Sequence, residues 1–161
     1  LAGETRVPDI ILDRRQGRMK YGFGVNAYQE AGGGVRLFSR WGWNDDRNES
    51  FAYTEVDRTA SFGADVAGSH WKRSLDKVGA AFVVDAISGD HRRYLALGGR
   101  GFMLGDGGLD YGLEKVFETY YTAHLWRGVW GAVDVQHVND PGYNRARGPV
   151  LAPSLRLHVD F

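Results

Sequence analysis

The 161 residues carry 20 basic and 20 acidic side chains, no cysteine and 23 glycines, with 8 Tyr, 8 Phe and 5 Trp. Balanced, scattered charge offers no net basic surface to neutralise phosphates, which disfavours nucleic-acid binding, and the lack of thiols removes disulfides, thiolate nucleophiles and Cys-based zinc sites. The longest apolar run, Val78 to Val84, is far shorter than the ~20 residues of a membrane-spanning helix, so a helical membrane protein is excluded.

Leu1 to Arg18 contains Glu4, Arg6, Asp9, Asp13, Arg14, Arg15 and Arg18 and no apolar stretch of useful length. It does not resemble a signal peptide. With Leu1 rather than Met at the start, a processed or cut chain is expected, with residues 1–18 forming a loop.

Seven segments then read as strands from their alternation and flanking turn residues. They are Met19 to Gln29, Val35 to Trp43, Val56 to Gly68, Lys77 to Ile87, Leu113 to Leu125, Val129 to Val138 and Val150 to Phe161. Each spans about nine to thirteen residues, beyond the ~5–6 of a globular strand and near the ~9–11 of a tilted membrane strand. The last seven residues alternate without a break: Leu155, Leu157, Val159 and Phe161 form one apolar face, Arg156, His158 and Asp160 a charged one. Alternation alone does not say which face meets lipid, because an amphipathic strand of a soluble sandwich or barrel has the same period.

The connections discriminate better. Glu30 to Gly34 and Trp126 to Gly128 are short and Ser69 to Asp76 is intermediate, whereas Asn44 to Glu55, Ser88 to Gly112 and Asn139 to Pro149 are long. In an up-and-down sheet every second connection lies on the same side, so the long loops share one rim, as in outer-membrane barrels. Trp126-Arg127-Gly128 suits a three-residue hairpin; pairing Leu125 with Val129 sets Glu118 opposite Gln136, Tyr120 opposite Asp134 and His124 opposite Trp130. Tyr28, Trp71, Trp126, Trp130 and Phe161 gather near the short-turn rim and Trp41 and Trp43 near the long-loop rim, like interfacial girdles. Seven strands cannot close an ordinary bacterial barrel, where the count is even. Either an eighth strand lies in Arg6 to Asp13, against which Pro8 and the surrounding charges argue, or N-terminal strands are missing, which is the favoured reading.

The stretch Gly42 to Glu55, then His91 to Leu95 with Gly98-Gly99, Leu104 to Gly107, Glu118 to Tyr121, Asp134 to His137, Asn139 to Asn144, Arg147 to Val150 and Arg156 to His158 together resemble the C-terminal part of the carbohydrate-selective porin family typified by OprB. The match runs in order from about Gly17 to Phe161. It implies an all-β, transmembrane, antiparallel up-and-down barrel in the outer membrane of a Gram-negative bacterium. Residues 1–161 would be the C-terminal part, about seven strands, of a single larger barrel domain; channel-forming porins have ~16–18. The implied function is passive diffusion of carbohydrates into the periplasm, with no cofactor and no enzymatic activity. The implied partners are sugar solutes, outer-membrane lipid and the barrel-assembly machinery, which would read the terminal Phe161; a homo-oligomer is left open. Asp46 departs from a Gly common in the family, and Pro153 removes a ladder donor, questioning the regularity of the last strand's upper end.

The positions expected to face water are Lys20, Asn26, Arg36, Arg40, Asp65, Asp85, Glu118, Tyr120, His124, Asp134, Gln136, Arg156, His158 and Asp160. Both signs of charge together with Tyr and Gln can exchange hydrogen bonds with sugar hydroxyls without selecting ions of one sign; the plainer reading is a wetted wall whose residues pair across strands. In the longest loop, Ser88 or Asp90 caps a short helix that Gly98 ends, and this element is expected to fold into or over the pore and bring Arg92 and Arg93 to the constriction. The opposing reading is an external loop with solvated arginines. His124, Asp134, His137 and Ser69 show no spacing that puts a nucleophile beside a base, the five His are scattered without ligand spacing, and Gly98 to Gly108 form no phosphate-binding motif. The runner-up function is a soluble or periplasmic ligand-binding β-barrel with an apolar interior.

Overall fold

The computed structural model describes residues 7–8, 17–45, 48 and 55–161. The eighth strand considered over Arg6 to Asp13 falls largely outside them. Among the described residues the chain builds one antiparallel sheet in which sequence order is spatial order. Its strands are β1 (Gly22–Gly32), β2 (Val35–Asn44), β3 (Arg58–Ala67), β4 (Lys77–Ala86), β5 (Glu114–Trp126), β6 (Val129–Asn139) and β7 (Val150–Val159). A helix, α1 (Gly89–Ala96), lies in the long connection between β4 and β5, with Ser88 as its N-cap accepting from the His91 amide. The expected sorting of connections holds among the described residues: Asp45, residues 55–57, 87–113 and 140–149 lie at one rim, and the β1–β2, β3–β4 and β5–β6 turns at the other.

Because each strand pairs in register with the next, the period of two propagates across the sheet. One row joins Arg36, Asp65, Gly79, Tyr120, Asp134 and Ser154. A row three positions nearer the long-connection rim, on the opposite face, joins Ser39, Phe62, Phe82, Phe117, His137 and Leu151. The polar face is the covered one: Asp65 is 3% exposed and Asp134 8%, while Phe62 is 61% and Phe117 49% exposed. A soluble sandwich or barrel would show the opposite. Leaving a large apolar side chain in water forgoes about 1.5–3 kcal/mol, and Phe62, Phe117, Val133, Leu155 and Leu157 all stand out. Five such losses approach the ~5–15 kcal/mol that is a domain's whole stability. Lipid removes that penalty, and the soluble-barrel alternative fails on it. His137 lies on this apolar face as well, paired with Phe117.

Three local details differ from expectation. A register shift between His124 and Trp126 sets Leu125 out as a bulge, so Trp126 pairs with Val129 and the turn is the two residues Arg127-Gly128, with Gly128 at φ 67°. The pairs Glu118 with Gln136, Tyr120 with Asp134 and His124 with Trp130 nevertheless form as expected, because the bulge absorbs one residue at the strand's end. The β1–β2 connection is tighter than drawn, since β1 continues to Gly32 and the turn uses left-handed Gly33 and Gly34. Finally, β7 pairs with β6 without irregularity through Pro153. The ladder to β6 holds across this position although proline brings no backbone donor.

Among the described residues the buried apolar cluster lies in the long connections, not within the sheet. Ile87, Leu95 and Tyr143 are buried together, with Tyr94, Leu104, Leu109 and Tyr111 packed against them.

Candidate functional site

The polar face of the sheet carries two charged groups separated by an aromatic ring. On one side Arg36 donates to Asp65 through both Nε, at 3.0 Å, and Nη2, while Lys77 Nζ lies 3.9 Å from the other carboxylate oxygen. On the other side Gln136 donates to Glu118 at 3.1 Å, Ser154 donates to Asp134 at 3.5 Å, and Arg156 stands beside them. Between the two lies Tyr120, its ring laid over Gly79: a Cβ added there would come within 2.5 Å of the ring. Phe38 covers Gly63 from the β2 side in the same way. Toward the short-turn rim His124, Trp130 and His158 pack as tilted rings, with centroids 5.2 and 5.9 Å apart, and His158 Nε2 meets Asp160 at 2.8 Å.

Arg40 shares this face, in a row with Asn26, Ser61 and Val83; Asp85 lies opposite Thr59 and Glu114. The ladder thus brings together eleven of the residues expected to line a pore: Arg36, Arg40, Asp65, Asp85, Glu118, Tyr120, His124, Asp134, Gln136, Arg156 and His158. The two arginines of α1 separate. Arg92 donates to the Ile87 carbonyl at 3.0 Å and stacks on Tyr111 at 3.7 Å, while Arg93 is exposed.

The sequence model of a family described as "Carbohydrate-selective porin, OprB family" matches residues 2–161. The chain belongs to that family. Among solved structures the chain is similar to Pseudomonas putida OprB at high pH, with a TM-score of 0.73 and 20% sequence identity. The likeness covers 88% of this chain and 36% of that one, so the chain spans little more than a third of that porin. At this identity the likeness bears on the fold. No curated protein matches the chain.

Many of the residues that carry the resemblance to OprB proteins are partners of one another in the outer loops. Glu55 accepts from the Met103 amide at 2.7 Å, and its carbonyl accepts from the buried Tyr143 hydroxyl at 3.1 Å. Asp57 accepts from the Ser88 amide at 2.8 Å. His91 sits between the two carboxylates, Nε2 3.5 Å from Glu55 and Nδ1 3.3 Å from Asp57. Arg147 forks onto Asp106 at 2.9 and 3.1 Å. These contacts staple residues 55–57 to the 87–113 and 140–149 connections.

Burial alone would lower the His91 pKa, but the hydrogen bonds and charge of Asp57 and Glu55 outweigh it and hold the imidazole up at about 9. Burial likewise pushes Glu55 and Asp57 up, and His91 with the backbone donors brings both below their ordinary values. Burial also pushes the Tyr143 hydroxyl up, so it stays a neutral donor. At the opposite rim Asp76 accepts from Arg73, from the Tyr121 hydroxyl and, at 2.9 Å, from the His124 amide. The Arg73 hydrogen bond is the chief reason its carboxyl is held at about 2. Trp71 donates to Tyr121 at 3.1 Å, completing a clamp between the β3–β4 turn and β5.

Sequence reasoning missed the Glu55, Asp57 and His91 cluster, whose members are brought together only by loop folding. The available signal was the cap: Ser88 followed three residues later by His91 fixes the imidazole at the start of α1.

Proposed function

We propose that this chain supplies one stretch of the wall of an outer-membrane channel through which carbohydrates diffuse passively into the periplasm of a Gram-negative bacterium. One observation carries the reading: the sheet is inverted, with charged side chains on its covered face and large apolar ones on its exposed face. Membership of the family points the same way. The chain would be part of a larger closed barrel, a reading supported by its span of the OprB structure and by β1 and β7, each paired on one side only among the described residues. Unpaired backbone in hydrocarbon costs several kcal/mol per group, so further strands would have to complete the wall.

In this reading outer-membrane lipid contacts the Phe62, Phe82 and Phe117 face, and the barrel-assembly machinery inserts the complete barrel. Arg36, Arg40, Asp65, Asp85, Glu118, Tyr120, His124, Asp134, Gln136, Arg156 and His158 line the solute path, neither sign of charge dominating, as suits uncharged solutes. Of the α1 arginines, Arg93 faces the solvent-filled mouth, whereas Arg92 braces the loop through Ile87 and Tyr111. No catalytic step or cofactor is assigned. The test is swelling of proteoliposomes holding the full-length protein in isotonic neutral sugar: sugar entry well above protein-free vesicles supports the channel, and entry equal to theirs overturns it.

A further inference from the structure

Strand glycines need a reason, because they weaken a ladder and pack nothing. Gly79 is buried in the middle of the polar face without a left-handed backbone, and its reason is Tyr120, whose Cζ would stand 2.5 Å from any Cβ placed there. The glycine lets the ring lie flat on the wall instead of projecting into the lumen. Beside it is a cleft of about 280 Å³ lined in part by Lys77, Glu118, Tyr120, Asp134 and Arg156, near the lower end of the ~300–1,000 Å³ of small-molecule sites. The polar groups around the cleft are only partly used. Glu118 accepts one hydrogen bond from Gln136 and Asp134 a long one from Ser154, and the two carboxyl groups also face each other within hydrogen-bonding reach. The Arg156 guanidinium reaches Glu118 through its charge, and the Tyr120 hydroxyl lies in the field of Asp65 and Arg36.

We infer that Tyr120, laid flat over Gly79 and flanked by Glu118, Asp134, Arg156 and Lys77, is a discrete docking subsite for one neutral pyranose. This inference rests on the channel reading above. An aromatic face is electron-rich and suits the C–H-bearing face of a sugar ring. The hydroxyls at the ring's edge each need a donor and an acceptor, which the two carboxylates and the two cations supply around the same platform. A bare charged wall would orient ions equally well; the flat ring with acceptors and donors on its margin selects a polyol with an apolar face. Gly79 is the positioning residue and Tyr120 the contact.

The test is D-glucose uptake into proteoliposomes holding the full-length protein, measured over a range of glucose concentrations, alongside KCl conductance of single channels. Wild-type uptake is expected to saturate. Tyr120→Leu, which keeps bulk and loses the π face, should raise the half-saturation concentration about five- to tenfold, the size of a lost aromatic contact, with KCl conductance little changed; Tyr120→Phe should stay within about twofold. Gly79→Ala should lift the ring, lowering KCl conductance and weakening saturation together. If Tyr120→Leu and Gly79→Ala both leave half-saturation at the wild-type value, or if wild-type uptake rises linearly without saturating, the subsite is overturned and the channel stands. If the wild type passes glucose no faster than protein-free vesicles, the channel reading falls and the subsite with it.

Discussion

The sheet and the outer loops of this chain are stabilised by opposite means. In the sheet, apolar side chains such as Phe62 and Phe117 are displayed while Asp65 and Asp134 are covered, and cohesion comes from a backbone ladder that runs through all seven strands. In the loops the ordinary order returns: Ile87, Leu95 and Tyr143 form a small buried core, locked by a histidine between two carboxylates. A wall that faces lipid needs only the right residue class at every second position, whereas a loop cluster needs particular side chains at particular places. Substitutions should therefore be judged by face in the sheet and by identity in the loops.

The largest effect should come from breaking the face rule. Phe82→Arg, in the middle of the apolar row between Phe62 and Phe117, is expected to destabilise the folded barrel by about 2–4 kcal/mol, whereas Gln136→Arg on the polar face should change stability by less than about 0.5 kcal/mol. Denaturant titration of the full-length protein in vesicles measures both, and equal costs would break the comparison.

Next is loop identity. His91→Ala leaves the buried Glu55 and Asp57 carboxylates without their shared cation and should loosen residues 87–113 by about 1–3 kcal/mol. Limited proteolysis would read this as faster cleavage there, with the sheet unaffected.

The same cluster predicts a pH window. His91 is raised from 6.5 to about 9, so its contribution is complete below 6.5 and lost as pH rises through about 9. Glu55 and Asp57 are lowered from 4.5 and 3.8, so theirs is complete above those values and lost as pH falls. Loop cohesion should be greatest between about pH 4.5 and 6.5 and fall toward pH 10. Open-channel current noise should rise over that upper range in the wild type and be flat in His91→Ala.

Ser88→Ala removes the cap of α1 and should cost about 1 kcal/mol, visible as faster amide exchange over 89–96. The smallest effect should be Arg145→Ala at the exposed pair with Asp110, 3.9 Å apart, with a thermal unfolding midpoint indistinguishable from wild type.

This contrast also governs what was legible before the structure. Strand positions and the pairing of Tyr120 with Asp134 could be read because the signal repeats every two residues and adjacent strands are joined by short turns. The Leu125 bulge could not, since a three-residue loop and a bulged two-residue turn fit the same residues. Which face meets lipid was equally hidden in alternation; the covering of Asp65 and Asp134 decides it. The loop cluster was least visible, because Tyr143 reaches the Glu55 carbonyl across 88 positions and no local pattern encodes that meeting. Glu55, His91 and Tyr143 stand in the stretches that carry the family resemblance, but nothing in those stretches says that they meet, and Asp57 lies outside them. Gly79 carried a readable oddity, a glycine inside a strand, whose cause lies on the neighbouring strand in Tyr120.

The most direct measurement is a thiol scan along β5 in outer-membrane vesicles, with single cysteines placed in a cysteine-free full-length protein. Phe117→Cys, Thr119→Cys and Tyr121→Cys should resist a water-soluble, bilayer-impermeant reagent, while Glu118→Cys, Tyr120→Cys and Thr122→Cys should react. Uniform reactivity, or the reverse alternation, would contradict the inverted sheet and the channel wall derived from it.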